Sequence, residues 1–318
     1  MAHNVETMAY AGELPWHKLG ARVSDDVSVD EMLVAAGLDW NVGLRPLRAD
    51  VGDGKTVPVP GRFALVRDSD NRVLTITGKT WKPVQNAEIL NFMRSYVEAG
   101  GATLETAGSL RGGKIVWGLA KINYSFSVRR NDTVNGYLLL TSYHEAGRAT
   151  VGRTTTVRVV CQNTMDAADA EGTIQYRQNH LTQFNPEAAK DAFGKAVEEL
   201  AAAEARYKTI AKLKLNIEDA IKKVIVPSMM PEVMDDSEVM ENILLPESQP
   251  KKLAEIINSL NNAPGAVPGT GWGVLNAITH WSDHVAGRNE STRMYRSIAG
   301  DIGRSKKMAE RKLLELAA

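Results

Sequence analysis

Three groups of residues in this sequence have types and spacings that can do chemistry. The first is basic: Arg111, Lys114, Arg129, Arg130, Arg148, Arg153 and Arg158, with Thr154, Thr155 and Thr156 among the last of them. A guanidinium fork binds two phosphate oxygens and a threonine hydroxyl donates one more bond, so this set suits a nucleic-acid backbone. Residues five apart on a regular strand point to opposite faces, so the arginines from 148 to 158 cannot all share a side. The competing reading is a set of solvated charges on exposed strand faces, and it stays open.

The second group is His280-Trp281-Ser282-Asp283-His284. Histidines at i and i+4 share one helix face, which is zinc-ligand geometry, with an acid where some metallohydrolases carry Glu. A third ligand must come from elsewhere. Val274, Ile278, Trp281 and Val285 form an apolar stripe on the same helix, which leaves Asn276, His280, His284 and Arg288 as a polar contact face, with no metal expected. The third group is Cys161, the single cysteine. It has no local histidine signature for a nucleophile, and a small buried apolar residue is the expected role. The glycines from Gly265 to Gly273 lack the lysine of a phosphate loop and read as a flexible loop before a helix. Of six tryptophans, Trp40 and Trp117 are expected in the core rather than stacked on bases.

The elements that position these residues follow from pattern. Ser28 and Glu31 form a capping box for a short helix closed by Gly37. Ile89, Leu90, Phe92, Met93, Tyr96 and Val97 mark one face of a helix over 86–99. β-rich runs at 63–67 and 73–77 flank Asp68-Ser69-Asp70-Asn71; runs at 103–109 and 114–122 flank Arg111-Gly112-Gly113; runs at 136–143 and 150–161 flank Glu145-Ala146-Gly147. These are three hairpins, and residues 60–161 are expected to form one curved antiparallel sheet with the 86–99 helix packed on it. Past 163 the pattern turns helical. A long helix is expected over 186–213, short helices or an acidic linker over 229–250, and further helices over 271–285 and 304–316. The fold class is therefore α+β, with a β-rich domain at 1–165 and a helical region at 166–318 whose acidic linker spans about 229–270.

The chain has 318 residues, 43% of them hydrophobic, and a net charge of zero. That charge is uneven. Residues 61–160 hold 14 Lys/Arg against 7 Asp/Glu, a net of +7; residues 161–270 hold 11 against 17, a net of −6. A basic middle and an acidic connector suit different partners. No apolar run approaches the roughly 20 residues a membrane span needs, no secretory signal is expected at the start, and one cysteine cannot form an internal disulfide.

Pro15-Trp16-His17-Lys18-Leu19-Gly20, Val157-Arg158-Val159-Val160-Cys161-Gln162-Asn163-Thr164, and Trp272-Gly273-Val274-Leu275-Asn276-Ala277 with Asp283-His284 resemble the phage- and plasmid-like proteins grouped as domain of unknown function 932. That resemblance implies a mobile-element protein of the bacterial cytoplasm, encoded near replication and recombination genes. The helix-on-sheet order is also similar, at the level of architecture, to Rad52-type single-strand annealing proteins. The expected function is single-stranded DNA binding and annealing by a homo-oligomer, without cofactor or catalytic residue. The seven basic residues of the first group line the groove. The alternatives are a metal-dependent hydrolase using His280 and His284, or a factor that binds a host protein.

Overall fold

A computed structural model describes residues 4–15, 18–130, 132–156, 165, 173–194, 196–263, 266–286 and 301–318, apart from the side chains of 132, 192, 283 and 301–303. Arg158, Cys161 and Arg288 lie outside that set. The chain divides into two units: Met1–Ser125, Asn135–Ala168 and Gly172–Glu199 form the first, and Phe126–Val134, Asp169–Glu171 and Leu200–Ala318 the second.

The first unit holds strands β1 (Val5–Tyr10), β2 (Ala21–Arg22), β3 (Val42–Asp50), β4 (Thr56–Arg67), β5 (Val73–Gly78), β6 (Ala102–Leu110), β7 (Ile115–Arg129), β8 (Asp132–Tyr143), β9 (Thr150–Thr155) and β10 (Thr173–Gln178), the tip of the β7–β8 hairpin belonging to the second unit. A large, mainly antiparallel sheet has the order β10-β9-β8-β7-β6-β1-β2, and a separate three-stranded sheet has the order β3-β4-β5. The expectation of a single sheet over 60–161 is thereby corrected. The 63–77 hairpin pairs with β3, which lies upstream of it, and not with the hairpins that follow. Register shifts at Val5/Thr7, Leu104/Thr106 and Ile174/Tyr176 place bulges in the large sheet, and bulges bend strands.

β7 reads Ile-Val-Trp-Gly-Leu-Ala without alternation because both of its faces are covered. One face carries Ile115, Trp117 and Leu119 into a cluster with Val5, Met8, Tyr10, Tyr137, Leu139, Tyr143 and Met165. The Trp117 indole donates to Thr106 Oγ1 at 3.1 Å. On the other face a Cβ at Gly118 would sit 2.8 Å from Leu90 Cδ2, so glycine there lets helix α2 approach. Helix α1 (Val29–Ala35) starts at the Ser28–Glu31 capping box, and α2 (Asn86–Glu98) starts at a second box between Gln85 and Glu88. Ile89, Leu90, Phe92 and Met93 are its buried stripe.

The expected helix over 186–213 is two, α3 (Pro186–Phe193) and α4 (Ala196–Lys212), separated at Gly194. In the second unit, short helical turns occupy Ile217–Met229 and the acidic 231–248 segment, followed by α5 (Lys251–Asn262), α6 (Gly271–His280) and α7 (Asp301–Ala317). A Cβ at Gly273 would lie 2.1 Å from the Val267 carbonyl oxygen, and one at Gly271 2.8 Å from that of Ile210. These glycines serve close backbone approach; only Gly269 of the described ones there has a positive φ, +79°. No helix is long and apolar enough to cross a membrane among the described residues.

Candidate nucleic-acid interface

An antiparallel sheet brings alternate turns to one end. The β6–β7 turn and the β8–β9 turn therefore meet: the His144 N–H donates to the Lys114 carbonyl at 2.8 Å, and Arg111 Nη1 lies 3.8 Å from Glu145 Oε2. Arg111, Lys114 and Arg148 share this end. Arg111 and Arg148 are exposed and Lys114 is half-buried. The Arg148 guanidinium lies 4.2 Å over the Tyr143 ring, a cation–π contact.

The backbone under Arg111 is unusual. Arg111, Gly112 and Gly113 have φ of +54°, +69° and +84°. A non-glycine residue in the left-handed region costs about 1–2 kcal/mol. Glycine suits position 113 for its positive φ, and a Cβ there would fit tightly, 3.0 Å from Arg67 Nη1 and 3.3 Å from Trp40 Cζ2. At Arg111 the chain carries an exposed cation in a conformation that favours glycine, the kind of local strain found where a side chain has work to do.

The turn rests on a polar platform. Arg67, 7% exposed, donates to both Glu6 oxygens at 3.0 and 3.1 Å and to Asp70 at 2.6 and 2.8 Å, and it lies 5.0 Å from the Trp40 ring. The Asp70 bond holds the guanidinium above its usual pKa, and the Arg67 bond holds the Asp70 carboxyl well below the usual carboxylate range. Arg72 Nη1 joins Glu6 at 3.2 Å and reaches towards the Gly112 carbonyl. Behind Trp40 lies His144, wholly buried, with ring centroids 5.6 Å apart. Asn86 Nδ2 donates to the carbonyls of Leu38 and Trp40, so its Oδ1 accepts from His144 Nε2 at 3.2 Å and fixes that tautomer. Burial, with a smaller effect from nearby His180, pushes His144 down to about 3. His180 donates through Nδ1 to the Lys82 carbonyl at 3.0 Å and stacks on Trp81 at 4.2 Å; burial lowers its pKa, partly offset by the carbonyls of Lys82 and Tyr143.

Other members of the predicted basic set are placed differently. Arg153, opposite Leu139 and Ile174 in the sheet, is 8% exposed, and Thr154 and Thr155 beside it are buried too. An open strand face was expected there; β10, which the sequence pattern did not reveal, covers that edge of β9. Arg129 and Arg130 are exposed, but they lie at the far end of β7 from Lys114, on a tip that belongs to the second unit. There Phe126 packs 6.3 Å from Tyr207, which lies 5.2 Å from Trp272.

Also in the second unit, α6 does not continue as an α-helix through His284. It passes into a π-helical turn, Trp281–Val285. His280 Nδ1 lies 3.1 Å from Ser259 Oγ on α5, and the His280 and His284 rings lie 5.1 Å apart. Asn276 and His280 are half-buried and His284 is exposed. Trp281, as expected, is core; its indole donates to Glu255 at 2.9 Å. Among the described residues no group of three or more His, Cys, Asp or Glu side chains is arranged to hold a metal.

The sequence reading passed over two features. One is the Asn86–His144–His180 assembly, whose members are too far apart in the chain for any spacing rule. The other is the basic β3–β4 ribbon, legible in the arginine and proline content of 45–62. In comparisons with known proteins, residues 73–309 match the family model described as "Domain of unknown function (DUF932)". No curated protein and no solved structure matches the chain.

Proposed function

The chain belongs to the DUF932 family, and we propose that it is a single-stranded DNA-binding protein that anneals strands in the recombination or replication of a phage or mobile element. The observation that carries this reading is the convergence of Arg111, Lys114 and Arg148 at one end of the sheet, with Arg111 in a left-handed backbone and Arg148 laid over Tyr143. Cations fixed at adjacent turns suit successive phosphates of one strand. Trp40, Trp81, Trp117, Trp272 and Trp281 are all buried. On the reading proposed, these five described tryptophans leave binding to phosphate contacts rather than to stacking on their own rings, which keeps base edges free to pair, as annealing requires.

The test is fluorescence anisotropy of a labelled single-stranded oligonucleotide across a salt series. Each phosphate contact on a single strand contributes about −0.7 to the log–log salt slope, so the three contacts of this sheet end contribute about −2 to it. Replacing Arg111 and Arg148 together with alanine is expected to flatten the slope by about 1.4. Folded wild-type protein at micromolar concentration that leaves the oligonucleotide unbound at about 50 mM salt, where the electrostatic attraction is strong, overturns the proposal. Binding without faster pairing of complementary strands removes annealing and keeps DNA binding.

A further inference from the structure

The β3–β4 hairpin runs beyond the sheet that anchors it. β5 pairs with β4 only from Arg62 to Val66, so the distal part, from Arg48↔Pro58 to Asp50↔Thr56, is a two-stranded ribbon. Nearly every residue of it is exposed, including Val57 at 45% and, in the turn, Val51 at 59%. A two-stranded ribbon that buries so little is marginal by itself, and apolar side chains in water suit a surface that acquires a partner.

The chemistry of the ribbon selects the partner. From Val42 to Arg62 it carries Arg45, Arg48, Lys55 and Arg62 against Asp50 and Asp53. Arg48 is braced across the strands, donating to Thr56 Oγ1 at 2.8 Å and to the Thr56 carbonyl at 3.0 Å. Arg45 and Arg62 are exposed. Arg45 lies opposite Ala64 and Arg62 is two residues before it, so both point to one face of the small sheet, with Ile76, 48% exposed, beside Ala64. Two exposed cations on the same face as an exposed isoleucine match a nucleic-acid strand, whose phosphates meet the cations while a sugar or base lies against the Ile76 side chain. Pro46, Pro58 and Pro60 remove backbone donors from the ribbon, and Gly61, at φ +69°, lies in a bulge. Prolines and bulges on an edge oppose pairing with another strand, which argues against a second copy of this chain as the occupant.

We propose that the β3–β4 ribbon is a second phosphate-contacting element, which holds single-stranded DNA through Arg45 and Arg62 with Lys55 at its tip. This rests on the DNA-binding reading above. The test compares the wild type with an Arg45→Gln, Arg62→Gln variant and its charge-keeping counterpart, Arg45→Lys, Arg62→Lys. Each is measured by anisotropy with the same oligonucleotide across the salt series, with circular dichroism to confirm folding and sedimentation to give oligomeric state. The glutamine variant is expected to lose about 10- to 100-fold in affinity at about 50 mM salt and to flatten the salt slope by about 1.4, while the lysine variant keeps the slope. Wild-type binding with an unchanged glutamine variant overturns the ribbon assignment and leaves DNA binding standing. A glutamine variant that changes oligomeric state and not DNA affinity overturns it in favour of a protein–protein contact. Wild-type protein that does not bind DNA overturns both proposals together.

Discussion

The chain carries two histidine pairs in opposite settings. His280 and His284 are four residues apart on one helical run, and their spacing alone raises the question of a metal. They are half-buried and exposed, and one ring nitrogen of His280 meets a serine hydroxyl. His144 and His180 are 36 positions apart and nothing in the sequence links them, yet the fold buries both, close enough for the His180 charge to help lower the His144 pKa. Each has a tautomer fixed by a carbonyl-type acceptor, Asn86 Oδ1 for one and the Lys82 carbonyl for the other. Spacing identifies histidines able to share a face, whereas burial decides which histidines the fold depends on.

That contrast can be broken by mutation. His144→Ala removes a wholly buried ring from between Trp40 and Asn86 and leaves the Asn86 oxygen without its donor, so it is expected to destabilise the first unit by about 3–4 kcal/mol. Urea denaturation measures this, and a loss under about 1 kcal/mol shows that the pair is incidental to the fold.

Acid sharpens the contrast. A histidine whose folded pKa lies below its free value near 6.5 binds fewer protons folded than unfolded, so its stabilising effect is complete above that value and fades as pH falls towards the folded pKa. For His144 the window runs from about 6.5 down to about 3, and His180 acts in the same direction. Lowering pH from 7 to 5 is expected to cost the first unit about 2 kcal/mol through His144 alone. The urea midpoint at the two pH values reads this out, and an unchanged midpoint contradicts the burial argument.

The smallest effects are expected at the pair that the spacing picks out. His280→Ala loses the contact with Ser259 and the ring contact with His284 and is expected to cost about 0.5–1.5 kcal/mol. His284→Ala, at an exposed position, is expected to change stability by no more than about 0.5 kcal/mol. A loss above 2 kcal/mol in the His284 variant, measured by the same denaturation, reverses the ranking of the two pairs.

What the sequence determined by itself is local. The Ser28–Glu31 box, the buried stripe of α2, the hairpins turning at 68–71, 111–113 and 145–147, and the burial of Trp40 and Trp117 all rest on periodicity, capping or turn chemistry within a few residues. The family could also be read in short motifs. Tertiary structure alone decided the partners. Val5–Tyr10 lies against β6, about a hundred residues on; the 63–77 hairpin joins the upstream strand and not the large sheet; β10 pairs along the edge of β9, where Arg153 is buried. Of the described members of the predicted groove, Arg111, Lys114 and Arg148 meet at one sheet end, because they flank alternate turns of neighbouring hairpins. Backbone preferences act over one helical turn or one hairpin, whereas strand partners and burial are set by the free energy of covering apolar surface with segments distant in the chain.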